Sequence, residues 1–213
     1  MGHASRPTAP GLYHLIARSS TPDLMFADGA DCLSMIGQLE RVTLDTDWTC
    51  IAAVLMGTHY HLIVDAGERV LAGAMKRINW AYAINHNKRH RRKGHRVGCR
   101  YVSKPIDSEA YLLGCYRYVV RNPVEAGLCE RPEQWPWSSY ATTIELSSAF
   151  PFVDATLVLA QLDANHEIAI ERLRGLCENP LAPYGHDIPV ALLPAPRDEV
   201  SDTSGTPGVR HPG

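Results

Sequence analysis

The sequence has little of what usually places a chain quickly. Its six cysteines, at 32, 50, 99, 115, 129 and 177, include no C-x-x-C pair, which excludes a zinc ribbon and a dithiol redox centre. No run of about 20 apolar residues is present, so no segment reads as a membrane-crossing helix. No N-terminal apolar stretch resembles a signal peptide, and the expected setting is the cytoplasm, with the cysteines reduced and mostly packed. Charge of one sign is missing too. The 21 Lys and Arg stand against 23 Asp and Glu, a formal net charge of −2, so the overall balance names no partner. No internal repeat is visible. What is present, 213 residues of which 45% are hydrophobic, suits one domain with appendages or at most two small domains.

The pattern along the chain alternates strands and helices. Residues 1–10 (MGHASRPTAP) are small, polar and proline-bearing and are expected to be flexible. "GLYHLIAR" alternates Leu12, His14 and Ile16 with Tyr13, Leu15 and Ala17, the period of a strand. Leu33, Ile36 and Leu39 follow at helical spacing. "WTCIAAVLMG" and "HYHLIV" then read as a hairpin about Gly57-Thr58. A second helix is expected from Glu68 to about Asn87, and a fourth strand near Val97–Lys104. The third helix, "SEAYLLGCYRYVVRNP", is capped by Asp107 or Ser108 and expected to close at Pro123. Weaker helical stretches cover about 154–162 and 165–177, and the proline-rich segment 179–213 is expected to be disordered. A hairpin in the middle of alternating elements points to an α+β antiparallel sheet with packed helices, spanning residues 11–178.

Chemistry enters at "MGTHYHLIVD". His59 and His61, two apart on a strand, point to the same face and can share a metal ion. Two partly exposed histidines at a hairpin mouth give the same pattern, and two ligands leave an ion short of partners. On the third helix Tyr111, Cys115, Tyr118 and Asn122 are spaced 4, 3 and 4 apart and share a face, with Leu112, Tyr116, Val119 and Val120 on the other side. Asn122 offers a carboxamide oxygen, and Tyr118 a phenol one turn away. Such a pair also trims helix ends. Together with H-x-H, however, it makes a metal site beside a phenol that could attack a polarised phosphate.

A basic segment gives phosphate a reason to be there. Lys88, Arg89, Arg91, Arg92, Lys93, Arg96 and Arg100, with His86, His90 and His95 among them, run from 85 to 100 with no acidic residue between. That is either a solvated loop or the footprint of a nucleic-acid backbone. Trp135, Trp137 and Tyr140 of "EQWPWSSY" could stack on bases, but a wedge between loop and core is favoured. Cys115 receives no role, and His14 and His166 read as structural.

"THYHLIV", "YRYVVRNPVEAGL" and "WPWSSY", in that order, resemble the single-tyrosine HUH transposases, and within them the REP-associated tyrosine transposases of bacteria. The resemblance covers roughly residues 11–178. It implies a ferredoxin-like or RRM-like antiparallel sheet with the HUH motif on a central strand and the tyrosine on a helix. It also implies His59, His61 and Asn122 as ligands of Mg²⁺ or Mn²⁺, and Tyr118 as nucleophile. The activity so implied is that of a transposase, cleaving and rejoining single-stranded DNA, often at hairpins, through a 5′-phosphotyrosine intermediate. Such a protein would work as a monomer or homodimer, cytoplasmic and nucleoid-associated. The first strand ends Arg18-Ser19-Ser20 where relatives tend to read R-G-N, and Val97-Gly98-Cys99 replaces a segment that usually carries an aromatic residue, so target choice should differ. Two other readings stand beside this one: a domesticated, non-cleaving binder of DNA or RNA hairpins, and a metal-dependent phosphoesterase that uses water.

Overall fold

Four strands carry the chain's apolar alternation: β1 (Gly11–Ser19), β2 (Trp48–Met56), β3 (His59–Ala66) and β4 (Val97–Pro105). They form one sheet in the order β2-β3-β1-β4, with every neighbouring pair antiparallel. Helix α1 (Gly29–Asp45) joins β1 to β2, and α2 (Leu71–Arg89) joins β3 to β4. This βαββαβ order, with β1 and β3 central, is the ferredoxin-like arrangement the resemblance implies. The computed structural model describes residues 10–19, 24–67, 71–92 and 97–178, without the side chains of 97–100. Residues 1–9 and the whole of 179–213, expected to be flexible, lie outside the described residues.

The sheet has a core on each face. On one, Leu15, Ala17, Leu55, Tyr60, Leu62 and Val64 pack against α1 and α2. On the other, Ile51, Val54, Met56 and Ile63 pack against α3 (Glu109–Glu125) and the short elements after it, α4 (Tyr140–Thr143), α5 (Thr156–Ala160) and α6 (His166–Glu178). A register shift in β2 between Cys50 and Ala52 lets Ile51 and Ala52 both face the α3 side.

Two local expectations are corrected. Leu33, read as a core position of the first helix, is 63% exposed. The buried stripe is Cys32, Met35, Ile36, Leu39 and Val42, because the helix begins at the Asp28 cap and that start sets its phase. Pro123 does not close the third helix, which continues to Glu125. Proline removes one intrahelical N–H, and the burial of Asn122 and Pro123 in the packing of α3 offsets that loss. The helix instead stops at Gly127, which has φ +68° and takes the left-handed turn that glycine accommodates best.

"EQWPWSSY" behaves as a wedge. Leu55 N donates to the Trp137 carbonyl (2.9 Å), Ser139 N to that of Ala53 (2.8 Å), and Trp135 Nε1 to that of Leu55 (2.9 Å). The segment therefore covers the free edge of β2, which would otherwise invite pairing with another chain.

Candidate active site between the sheet and helix α3

His59 opens β3, and His61 follows two residues later on the same face, so the pleat puts both imidazoles on the α3 side of a central strand. Their ring centroids are 5.0 Å apart. Helix α3, capped by Ser108 whose Oγ accepts from Tyr111 N (3.3 Å), lies over them. Tyr118 comes down with its ring 5.9 Å from that of His61. Asn122, one turn on, donates from Nδ2 to the Tyr118 carbonyl (2.8 Å), and its amide oxygen is an acceptor.

The nitrogens show which atoms are left to bind. His61 Nδ1 lies 3.0 Å from His14 Nε2, and His59 Nδ1 lies 3.2 Å from Thr58 Oγ1. Each partner can accept a proton held on Nδ1. Both Nε2 atoms are buried and have no hydrogen-bond partner among the described residues. Two neutral imidazoles with orphaned, adjacent Nε2 lone pairs are a fitting donor set for a divalent ion, and the Asn122 oxygen suits a hard one. The residues present therefore fit the metal that the resemblance implies.

His61 is fully buried, so the histidine pair sits beneath the helix and not on an open strand face. Burial, first of all causes, holds His59 down to about 4 and His14 down to about 3, and it holds His61 well below its usual range. Neighbouring cations add to this: Arg18 beside His59 and His61, Lys104 beside His14. Burial also raises the Tyr118 phenol above its ordinary 10, while Asn122 and Arg18 oppose that rise.

These depressed values have a measurable consequence. Above about pH 6.5 the histidines are neutral in both folded and unfolded chains and their contribution is complete. As pH falls from there toward about 4 for His59 and about 3 for His14, the unfolded chain takes up protons that the native site refuses, and stability is lost. Metal-free protein should show a falling melting temperature between about pH 6.5 and 4.5, a window above most carboxylate titrations. A flat melting temperature there would show that the histidines are not held neutral.

Three residues at this site escaped the sequence reading. His14 is not a mere packing residue: it stacks on His61 (centroids 5.2 Å, interplanar 20°) besides bonding it. Arg18, paired across to His59 on β3, brings a guanidinium toward Tyr118. Lys104, opposite His14 on β4, has a buried Nζ with no hydrogen-bond partner among the described residues. The signal was available: His14 and Arg18 share the parity of His61 once β1 and β3 are paired. Nothing in a single strand announces that pairing.

The basic segment is only partly where it was expected. Lys88 and Arg89 end α2, and Arg89 is held by Asp28 (2.5 Å) and Asp31 (2.7 Å) from the start of α1. The run that is uninterrupted in sequence is therefore partly neutralised in space. Lys93 and Arg96 lie outside the described residues, as does the Arg100 side chain. Tyr111 is half-buried, and Cys115 is buried in the same core as Leu112, Tyr116, Val119 and Val120, which the spacing places on the other side. His166 pairs with Glu145 (2.7 Å) at the surface.

No protein-family model matches the chain, and no curated protein does either. Among solved structures, a Deinococcus radiodurans protein described as a transposase is 19% identical, covering 56% of this chain and 95% of that one, with a TM-score of 0.38, too low to establish a shared fold. A REP-associated tyrosine transposase bound to a REP hairpin matches over 73% of this chain and 93% of its own length, at 15% identity and a TM-score of 0.58. The chain has the fold of that transposase.

Proposed function

We propose that this protein is a metal-dependent tyrosine transposase, cleaving and rejoining single-stranded DNA through a covalent intermediate on Tyr118. One observation carries the reading: His59 and His61, ring centroids 5.0 Å apart, each keep an Nε2 without a hydrogen-bond partner among the described residues, and the His61 ring lies 5.9 Å from that of Tyr118. His59, His61 and the Asn122 oxygen would hold Mg²⁺ or Mn²⁺, which when bound polarises the scissile phosphate. Tyr118 Oη then attacks phosphorus. The Oη–P bond forms, the P–O3′ bond breaks, the phenol proton leaves to water and the departing 3′ oxygen is protonated. A 5′-phosphotyrosine and a free 3′ hydroxyl result. A 3′ hydroxyl attacking the same phosphorus reverses the bonds and rejoins a strand, with no nucleotide cofactor required.

Arg18 supports the first step by favouring the phenolate, and the Lys104 ammonium, buried with no hydrogen-bond partner among the described residues, suits a phosphate oxygen. The fold match to a protein holding a REP hairpin supports hairpin-forming DNA as the substrate class. The test is incubation with 3′-labelled single-stranded hairpin DNA and Mn²⁺, followed by denaturing electrophoresis. A labelled protein band that survives denaturation is expected, and cleavage without any such band would instead indicate water as the nucleophile.

The basic segment should add affinity without sequence choice. Replacing Lys88, Arg91, Arg92 and Lys93 by Ala leaves the Arg89 ion pairs intact. It should weaken binding to every single strand and flatten the salt dependence, by roughly 0.7 in log–log slope per lost phosphate contact. Filter binding across a salt series measures this, and an unchanged slope would make the segment a solvated loop.

A further inference from the structure

On the sheet face opposite the histidine pair, the end of α2 meets the start of α1. We propose that Asp31, His86 and His90 form a second metal site there, for a Zn²⁺-class ion that pins the N-terminus of α1 to the C-terminus of α2. His90 is the first residue after α2 and donates its backbone N–H to the His86 carbonyl (2.9 Å), which continues the last turn and brings the two rings together, with centroids 4.3 Å apart. Asp31 faces them from the first turn of α1, only 1% exposed. Its Oδ2 is the common point, at 2.9 Å from His90 Nε2 and 3.8 Å from His86 Nε2. The three ligand atoms lie within 4.8 Å of one another. Two atoms bound at about 2.0–2.2 Å to one ion are separated by at most about 4.2 Å, so closing the set asks for side-chain rotations and for Arg89 Nη1, 3.0 Å from His90 Nε2, to move off that nitrogen.

The unmet chemistry sits on His86. It is 3% exposed, and neither ring nitrogen has a hydrogen-bond partner among the described residues. The 3.8 Å separation from Asp31 is too long for a hydrogen bond. A buried imidazole left so is costly, and an ion placed between its Nε2 and Asp31 Oδ2 satisfies the Nε2 lone pair. The rest of the carboxylate is already arranged as an outer shell: Arg89 Nη1 donates to Oδ1 (2.7 Å), and Ala27 N donates to Oδ2 (2.9 Å). Two imidazoles and one carboxylate leave a fourth tetrahedral position for water, and they favour zinc over the hard cation suited to Asn122.

His59→Gln/His61→Gln protein, stripped with chelator, separates this site from the one beneath α3. Titration with Zn²⁺ alone should show one ion taken up per chain, with a rise in melting temperature of about 5–10 °C at about a hundred times the dissociation constant. Co²⁺ in its place should give the visible absorption of a tetrahedral site. His86→Gln in that background should weaken Zn²⁺ uptake at least about 100-fold, remove the melting shift and abolish the Co²⁺ bands. That substitution breaks no hydrogen bond among the described residues and spares the Arg89 pairing, and His90→Gln is the second variant. Absence of Zn²⁺ uptake in the double-Gln protein, or uptake unchanged by His86→Gln and by His90→Gln, overturns the proposal. Failure of DNA cleavage bears only on the site beneath α3.

Discussion

Tyr118→Phe should fold, bind metal and bind single-stranded DNA, yet form no covalent adduct, with cleavage reduced at least about a thousand-fold. The expectation depends on which tyrosine of α3 can reach a phosphate held by His59 and His61. Tyr118 is the one whose ring stands 5.9 Å from His61 and 6.0 Å from His14. Tyr116 is two residues away, about 200° around a helix of 3.6 residues per turn. It is fully buried among Val119, Val120, Leu173 and Cys177 on the far side. Tyr111 shares the correct face but lies about 16 Å along the axis from Asn122, too far for direct attack. Tyr111→Phe should therefore still react, and Tyr116→Phe should change stability little, because its buried hydroxyl has no hydrogen-bond partner among the described residues. Peptide mass spectrometry of the trapped adduct decides: a nucleotide on Tyr111 or Tyr116 would overturn the assignment.

The next largest effect is expected at the histidines. His59→Ala and His61→Ala should each remove Mn²⁺ binding measured by isothermal titration, and DNA cleavage with it. They should differ in stability. His59 is only partly buried, and its loss should leave the fold intact. His61 is fully buried between the sheet and α3, so truncation opens a cavity and should cost about 2–4 kcal/mol in denaturant unfolding. His61→Gln fills more of that space and separates lost ligation from lost packing. His14→Phe keeps the ring stack but removes the acceptor for His61 Nδ1, and a loss of about 10–100-fold in metal affinity is expected, typical of an outer-shell partner. Cleavage at the parent rate by both alanine variants would show that the metal is held elsewhere.

How much of this was legible in one dimension depends on the range of the interactions involved. Strand and helix periods are local, so β1, the hairpin of β2 and β3, and the placing of Tyr118 and Asn122 on one helix could be read directly from spacing. So could the shared face of His59 and His61, since a strand alternates by geometry alone. Helix phase was less secure. Leu33 fitted the apolar spacing as well as Met35 did, and only the capping of α1 by Asp28 and its docking on the sheet turned Leu33 outward. Pro123 carried a local rule about helix ends that tertiary packing overrode.

The remaining features are long-range and belong to the tertiary structure. His14 meets His61 across 47 residues because β1 pairs with β3, and Arg89 meets Asp31 across 58 because α2 returns beside α1. No pattern within either segment encodes its partner. The residue types and their local order determined what chemistry this protein carries. Strand pairing and helix packing decided which side chains are buried together, and hence which histidine nitrogens have no hydrogen-bond partner among the described residues.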